Sequence, residues 1–186
     1  GELISTRIIS AFLEANDIPN TWLDVRNYLK TDGNFRDARI LWKQTEENVK
    51  KLNKDQLYIT QGFIGGDEKG NTTTLGREGS DYSAAIFAYL LDAEYVTIWK
   101  DVPGVLNADP RYFEATELLN EIPYSEAIEM AFYGASVIHP KTLKPLENKK
   151  IPQYVRSIYD LQKKGKLVGE GEKLSPELPC FIMKQN

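Results

Sequence analysis

The sequence predicts an α/β fold with a largely parallel sheet. Short runs rich in β-branched and aromatic residues recur along it, among them Thr21-Trp-Leu-Asp-Val25, Leu57-Tyr-Ile-Thr60 and Tyr95-Val-Thr-Ile-Trp99. Segments with apolar residues at three- and four-residue spacing alternate with these runs, the pattern of strands joined by helical crossovers. Composition agrees. The 186 residues are 41% hydrophobic and 27% charged, the balance of a soluble globular chain that can bury a core without metals or disulfides.

Each element has its own signal. Residues 3–15 set Leu3, Ile4, Ile8, Ala11, Phe12 and Ala15 at helical spacing, and Asn16-Asp-Ile-Pro19 ends that helix. Residues 21–25 read as a buried strand, and the stretch up to Leu41 has no clear pattern. Residues 43–52 read as a polar amphipathic helix. Residues 57–60 form a strand leading into Gln61-Gly-Phe-Ile-Gly-Gly66. The turn cluster Asp67-Glu-Lys-Gly-Asn71 and the returning Thr72-Thr-Thr-Leu75 then mark a hairpin. Between residues 79 and 91, Tyr82, Ala85, Ile86, Tyr89 and Leu90 share one helical face. Residues 95–99 form a strand and 101–109 a loop rich in Gly, Pro and Asn. A helix over 124–132 has Ser125 as its expected N-cap and Gly134 near its end. A short helix over 141–147 and a strand over 151–155 follow. Residues 160–176 are polar with several glycines and read as a linker, and the apolar run from Leu178 begins something new.

Several function classes are excluded at this level. The net charge of -4 gives no footprint for nucleic acid. One histidine, His139, and one cysteine, Cys180, cannot build a zinc site or an intrachain disulfide. Cys180 lies in an apolar run and reads as a small buried hydrophobe. No apolar stretch approaches the roughly 20 residues that span a bilayer, and no signal peptide is present, so a cytoplasmic location is expected. The chain opens on Gly1-Glu2-Leu3-Ile4 without an initiator methionine, and is expected to be a piece of a longer protein.

Three segments carry possible chemistry. Gly76-Arg-Glu-Gly79 joins a strand to a helix that starts near Ser80. A helix N-terminus offers free N–H groups and the positive end of its dipole to an anion. Arg77 adds a planar cation and Asp81 a first-turn carboxylate. A capped helix with a surface arginine fits the same residues equally well, and no Walker phosphate loop is present. The second segment, Trp99-Lys-Asp-Val-Pro-Gly-Val-Leu-Asn-Ala-Asp-Pro-Arg111, follows a strand end, where open α/β sheets bind ligands. Asp101, Asp109 and Arg111 could serve a nucleotide there, or the aspartates could bond only to local backbone N–H groups. In the third segment, His139 precedes a proline at an element boundary. A structural role satisfied by one backbone bond is the stronger reading of it, and general base the weaker.

Together these segments resemble the aspartate kinases of the amino acid kinase family. The matching residues are Gln61-Gly-Phe-Ile-Gly65, Thr72-Thr-Thr-Leu-Gly-Arg-Glu-Gly-Ser-Asp-Tyr-Ser-Ala-Ala85, Ile98-Trp-Lys-Asp-Val-Pro-Gly104, Ala108-Asp-Pro-Arg111, Glu126-Ala-Ile-Glu-Met130 and Tyr133-Gly-Ala-Ser-Val-Ile-His-Pro140. They run in order from residue 1 to about 155. The resemblance implies a three-layer α/β/α sandwich of the carbamate kinase-like type, incomplete in this chain. Residues 1–159 would be the central and nucleotide-binding part of the kinase domain, and 160–186 a linker toward an absent regulatory domain.

The resemblance also implies ATP-dependent phosphorylation of the L-aspartate side-chain carboxylate to 4-phospho-L-aspartate, the first step toward lysine, threonine and methionine. Mg2+ would accompany the nucleotide. By position, Asp81 would be catalytic. Glu2, Arg77 and Ser80 would bind substrate, with Arg77 on a carboxylate. Lys100, Asp101 and Arg111 would contact the nucleotide. No metal-binding residue is implied, the parent enzyme would be a homo-oligomer, and neither nucleic acid nor membrane is a partner.

The chain also departs from the family pattern. No Lys-Phe-Gly-Gly phosphate loop is present, so the piece alone is expected to be inactive. Lys100 stands where the family often has threonine, Leu106 where it has tyrosine, and Ser136 where it has lysine. Two alternatives remain at this level: another amino acid kinase with a different acceptor, and a non-catalytic nucleotide-binding module.

Overall fold

The computed structural model describes residues 1–133 and 137–182. The chain divides into two compact units, Gly1–Leu91 and Asp92–Asn186, each with its own buried residues.

The first unit opens on helix α1, Glu2–Ala15. Apart from Leu3, which packs against the core, the apolar stripe that predicts this helix is not its packed face. Ile4, Ile8 and Phe12 are exposed, whereas Thr6 and Ser10 are buried. The inward hydroxyls are tolerated because they are satisfied. Thr6 Oγ1 accepts from Trp22 Nε1 at 3.0 Å, and Ser10 Oγ donates to Asn20 Oδ1 at 2.6 Å.

Strand β1, Thr21–Trp22, pairs in parallel with β2, Tyr58–Ile59. The strand expected over 21–25 stops early because Asp24 caps a 3-10 turn, Val25–Asn27, by accepting the Arg26 N–H at 3.1 Å. Helix α2, Trp42–Val49, follows the long loop. Trp42 meets Tyr89 edge-on, with ring centroids 5.6 Å apart.

The expected hairpin forms from β3, Ile64–Gly66, and β4, Thr72–Thr74, with Gly66 opposite Thr72. At its tip Asp67 accepts from Asn71 Nδ2 and from the N–H groups of Asn71 and Lys69. These bonds, the Asn71 side chain first, hold the Asp67 carboxyl below the usual carboxylate range. The unpatterned stretch before Leu41 runs beside this hairpin. Thr31 N–H donates to Gly66 O, Gly66 N–H to Leu29 O and Ala38 N–H to Thr74 O. Only glycine allows this approach, since a Cβ on Gly66 would lie 2.5 Å from Arg26 O. Helix α3, Gly79–Leu91, closes the unit. Its Tyr82, Ile86 and Leu90 pack with Val25, Leu29, Val49 and Leu75 in one core.

In the second unit the strands are β5, Val96–Lys100; β6, Glu121–Pro123; β7, Gln153–Ser157; and β8, Lys166–Gly169. They run in the order β5-β7-β8-β6. The pairs β5/β7 and β6/β8 are parallel and β7/β8 is antiparallel. Residues expected as linker from 160 onward therefore supply an interior strand, with Val168 buried. Two apolar residues, Leu167 and Val168, between a lysine and a glycine are too short a run to announce it. β6 ends in a proline and is equally hard to read.

Helix α4, Tyr124–Tyr133, starts directly from β6. Ser125 therefore lies inside its first turn and is not the N-cap. Gly134 and Ser136 fall outside the described residues. The Tyr124 hydroxyl donates to Ile151 O. Burial, with smaller effects from the charges of Glu170 and Glu147, pushes its pKa up to about 12. Helix α5, Pro140–Lys149, is capped by His139, whose Nδ1 accepts the Lys141 N–H at 3.2 Å. That bond is the structural role expected of this histidine. No helix among the described residues is long and apolar enough to cross a membrane.

Candidate active site

In the first unit, the expected substrate residues sit at the starts of two helices. Glu2 is half-buried in the first turn of α1, and Thr6 Oγ1 donates to its carbonyl at 2.8 Å. Arg77 lies in the turn from β4 to α3. Ser80 and Asp81 occupy the first turn of α3. The turn is sharp: Gly76 has φ 78° and Glu78 φ 54°. Glycine takes the first value freely, whereas the second is an uncommon conformation for glutamate. A Cβ on Gly76 would also come within 2.6 Å of Asp37 Oδ1.

The start of α3 is fixed from the other side by the segment after β2. Phe63 adopts φ 72°, an outlier for a bulky residue. Its N–H donates to Ser83 Oγ at 3.0 Å, and Ser83 Oγ donates to Gly79 O at 2.9 Å. A Cβ on Gly79 would strike the Phe63 ring at 2.7 Å. Packing therefore holds an exposed arginine, an exposed serine and a half-buried aspartate around the positive end of a helix. The arrangement is suited to an anionic ligand.

In the second unit, Lys100 is the last residue of β5, and its carbonyl accepts the Ile158 N–H at 2.9 Å. Asp101 follows it, exposed at the head of the loop. Arg111 ends that loop with its guanidinium on Asp109, Nη2 to Oδ2 at 2.6 Å and Nε to Oδ1 at 3.1 Å. The guanidinium beside Asp109 holds that carboxyl below the usual range. Asp109 thereby fixes the orientation of the Arg111 fork, although an ion pair this exposed adds little stability.

The loop borders a cavity of about 470 Å³ whose lining includes Gly104, Leu106, Arg111, Met130 and Phe181, a size that suits a small-molecule ligand. Leu106 thus contributes an apolar wall. Gly104, at φ 149°, lies against Lys166, whose Cγ a Cβ would approach to 2.8 Å.

Phe181 was not among the expected site residues. Its N–H donates to Asn107 O at 2.8 Å, and its ring stacks on Phe113 at 5.4 Å. The signal available was the apolar run from Leu178, which read as the start of a new element. Its use as a cavity wall depends on pairing with residues more than seventy positions earlier.

This is the architecture of an amino acid kinase. A model described as the amino acid kinase family matches residues 1–157, and the chain belongs to that family. Within it, the chain is 40% identical over 191 residues to lysine-sensitive aspartokinase 3 of Escherichia coli strain K12. That match covers 100% of the chain and 42% of the relative, so the chain spans about two fifths of that protein. Among solved structures, Escherichia coli aspartokinase III in complex with aspartate and ADP superposes with a TM-score of 0.87 at 42% identity. The superposition covers 93% of this chain and 40% of that one. Carbamate kinase from Giardia lamblia bound to AMP-PNP superposes with a TM-score of 0.57 at 14% identity, over 89% of this chain and 67% of that one. That likeness shows the α/β fold alone.

Proposed function

We propose that this chain is part of the catalytic domain of an aspartate kinase, transferring the ATP γ-phosphoryl group to the side-chain carboxylate of L-aspartate. The observation that carries the reading is the Gly76–Gly79 turn, which sets Arg77, Ser80 and Asp81 at the start of α3. The resemblance to an aspartokinase solved with aspartate and ADP supports it.

Phosphoryl transfer needs alignment and charge neutralisation more than covalent help from the protein. In this reading Glu2 and Ser80 hold the amino acid, and Arg77 takes a carboxylate through its planar fork. Asp81, on the first turn of α3, orders the groups around the transferred phosphoryl. Lys100, Asp101 and Arg111 bind the nucleotide, with the cavity beside Leu106 and Phe181 receiving its apolar part.

Among the described residues no group of three or more His, Cys, Asp or Glu could hold a metal ion. Mg2+ fits all the same, because it takes most of its ligands from phosphates and water and needs only one or two carboxylates. Asp101 is the exposed carboxylate beside the nucleotide loop that would meet it. The ion supplies neutralisation of phosphate charge. The longer polypeptide would act in the cytoplasm as a homo-oligomer.

The test is formation of an acyl phosphate, trapped by hydroxylamine, in the full-length polypeptide that carries these residues. L-aspartate should be the preferred acceptor over glutamate, acetylglutamate and UMP. Arg77→Ala and Asp81→Asn should each lower kcat/KM by about 100-fold or more, the cost of removing a preorganised charge from such a site. Preference for another acceptor would replace the proposal with a different kinase of the same family.

A further inference from the structure

We infer that Gln61 is a positioning residue for the amino acid side of this site, an inference that rests on the function just proposed. Gln61 is 1% exposed, and its amide is bonded at both ends. Oε1 accepts the Val25 N–H at 2.9 Å. Nε2 donates to Leu23 O at 2.9 Å and to Thr6 Oγ1 at 2.9 Å. Thr6 Oγ1 in turn donates to Glu2 O at 2.8 Å. One side chain therefore ties the first turn of α1, which carries Glu2, to the chain leaving β1.

The same backbone segment braces the other helix start. A Cβ on Gly62 would lie 2.9 Å from Ser80 Cα, so the residue after Gln61 packs directly on the first turn of α3. Phe63 then reaches that helix through Ser83 Oγ. From residue 61 to residue 63 the chain thus links the turn bearing Glu2 to the turn bearing Ser80 and Asp81. The chemistry demands an amide. The site needs one acceptor and two donors in a dry place, which a carboxylate or a leucine cannot supply. A core amide that only satisfied backbone groups would matter to stability. A positioning amide matters to the geometry between Glu2 and Ser80, and so to one substrate and not the other.

The experiment compares wild type, Gln61→Glu and Gln61→Leu in the full-length polypeptide. Amino acid KM, nucleotide KM, thermal midpoint and amide hydrogen exchange are read separately. Gln61→Glu should raise the amino acid KM at pH 8 by about tenfold, the equivalent of one buried hydrogen bond. It should leave the nucleotide KM within about twofold, because the bonds of Gln61 run to Thr6, Leu23 and Val25 on the amino acid side. As pH falls, the buried carboxylate gains a proton and with it one of the two donors, so the amino acid KM of this variant should recover in part while that of wild type does not change. Gln61→Leu should show the loss without the recovery. In both variants exchange should rise at residues 3–6 and 80–83 above the rest of the unit.

The inference is overturned if both KM values rise together in step with lost thermal stability, or if exchange rises evenly or not at all. Should the wild type prove to use another acceptor, or none, the proposed function fails. The exchange pattern still decides the role of Gln61: localised loosening supports it and uniform loosening refutes it.

Discussion

At the scale of single residues, several side chains are placed by hydrogen bonding against their hydropathy. Thr6 and Gln61 are buried because each is satisfied. Backbone conformation gives a sharper test at Lys150. It ends α5 at φ 58°, in the left-handed region. A non-glycine residue there costs about 1–2 kcal/mol. Its ion pair with Glu170, at 2.8 Å, joins two mostly exposed side chains and, screened by solvent, adds little. The backbone term wins, so Lys150→Gly should raise the unfolding free energy by about 0.5–1 kcal/mol. Chemical denaturation with an unchanged m-value checks it.

At the scale of elements, the hairpin β3–β4 and the segment beside it behave as one piece. Their backbones approach closely at Gly65 and Gly66, where a Cβ would lie 2.9 Å from Leu29 O and 2.5 Å from Arg26 O respectively. A backbone oxygen cannot rotate away as a side chain can. Gly66→Ala should therefore destabilise the chain by about 1–3 kcal/mol, the range for overpacking. Gly70→Ala, at the hairpin tip with open space around it, tests strain without a clash, since its φ is 82°. Its loss should be smaller, about 1 kcal/mol. Thermal unfolding of the two variants side by side separates close approach from backbone strain, and equal losses would contradict the argument. The hairpin was legible from its turn residues. The partner strip of residues 29–40 was not, because it pairs through backbone groups and bridges rather than through any hydrophobic period.

At the scale of the whole molecule, titration sets a window of stability. Asp24, Asp67, Asp109 and Asp160 are held below the usual carboxylate range by hydrogen bonds from Arg26, Asn71, Arg111 and Lys163 respectively. Each adds stability, small for Asp109 and Asp160 whose cationic partners are exposed, that is full above its unfolded pKa of about 3.9 and is lost as pH falls through its lower folded value. Tyr124 runs the other way. Its pKa is raised to about 12, so its contribution is full below about 10, the unfolded value, and is lost as pH rises through the folded one. The thermal midpoint should fall below about pH 4 and again above about pH 10. Asp24→Asn should soften the acid limb, and Tyr124→Phe should flatten the alkaline one. A scan of midpoint against pH in the three proteins decides both.

The sequence by itself determined the α/β class, most helices and strands, and the identity of the residues around the α3 turn. Those signals are local: periodicity, turn chemistry and a motif string in one stretch of chain. Tertiary structure alone decided which face of α1 is packed, that Lys166–Gly169 is an interior strand, and that Phe181 walls a cavity. It also brought the amide of Gln61 between Thr6 and Val25. The physical reason is the same in each case. A buried polar group or a two-residue apolar run is stable only through partners distant in sequence, and no local pattern records who those partners are.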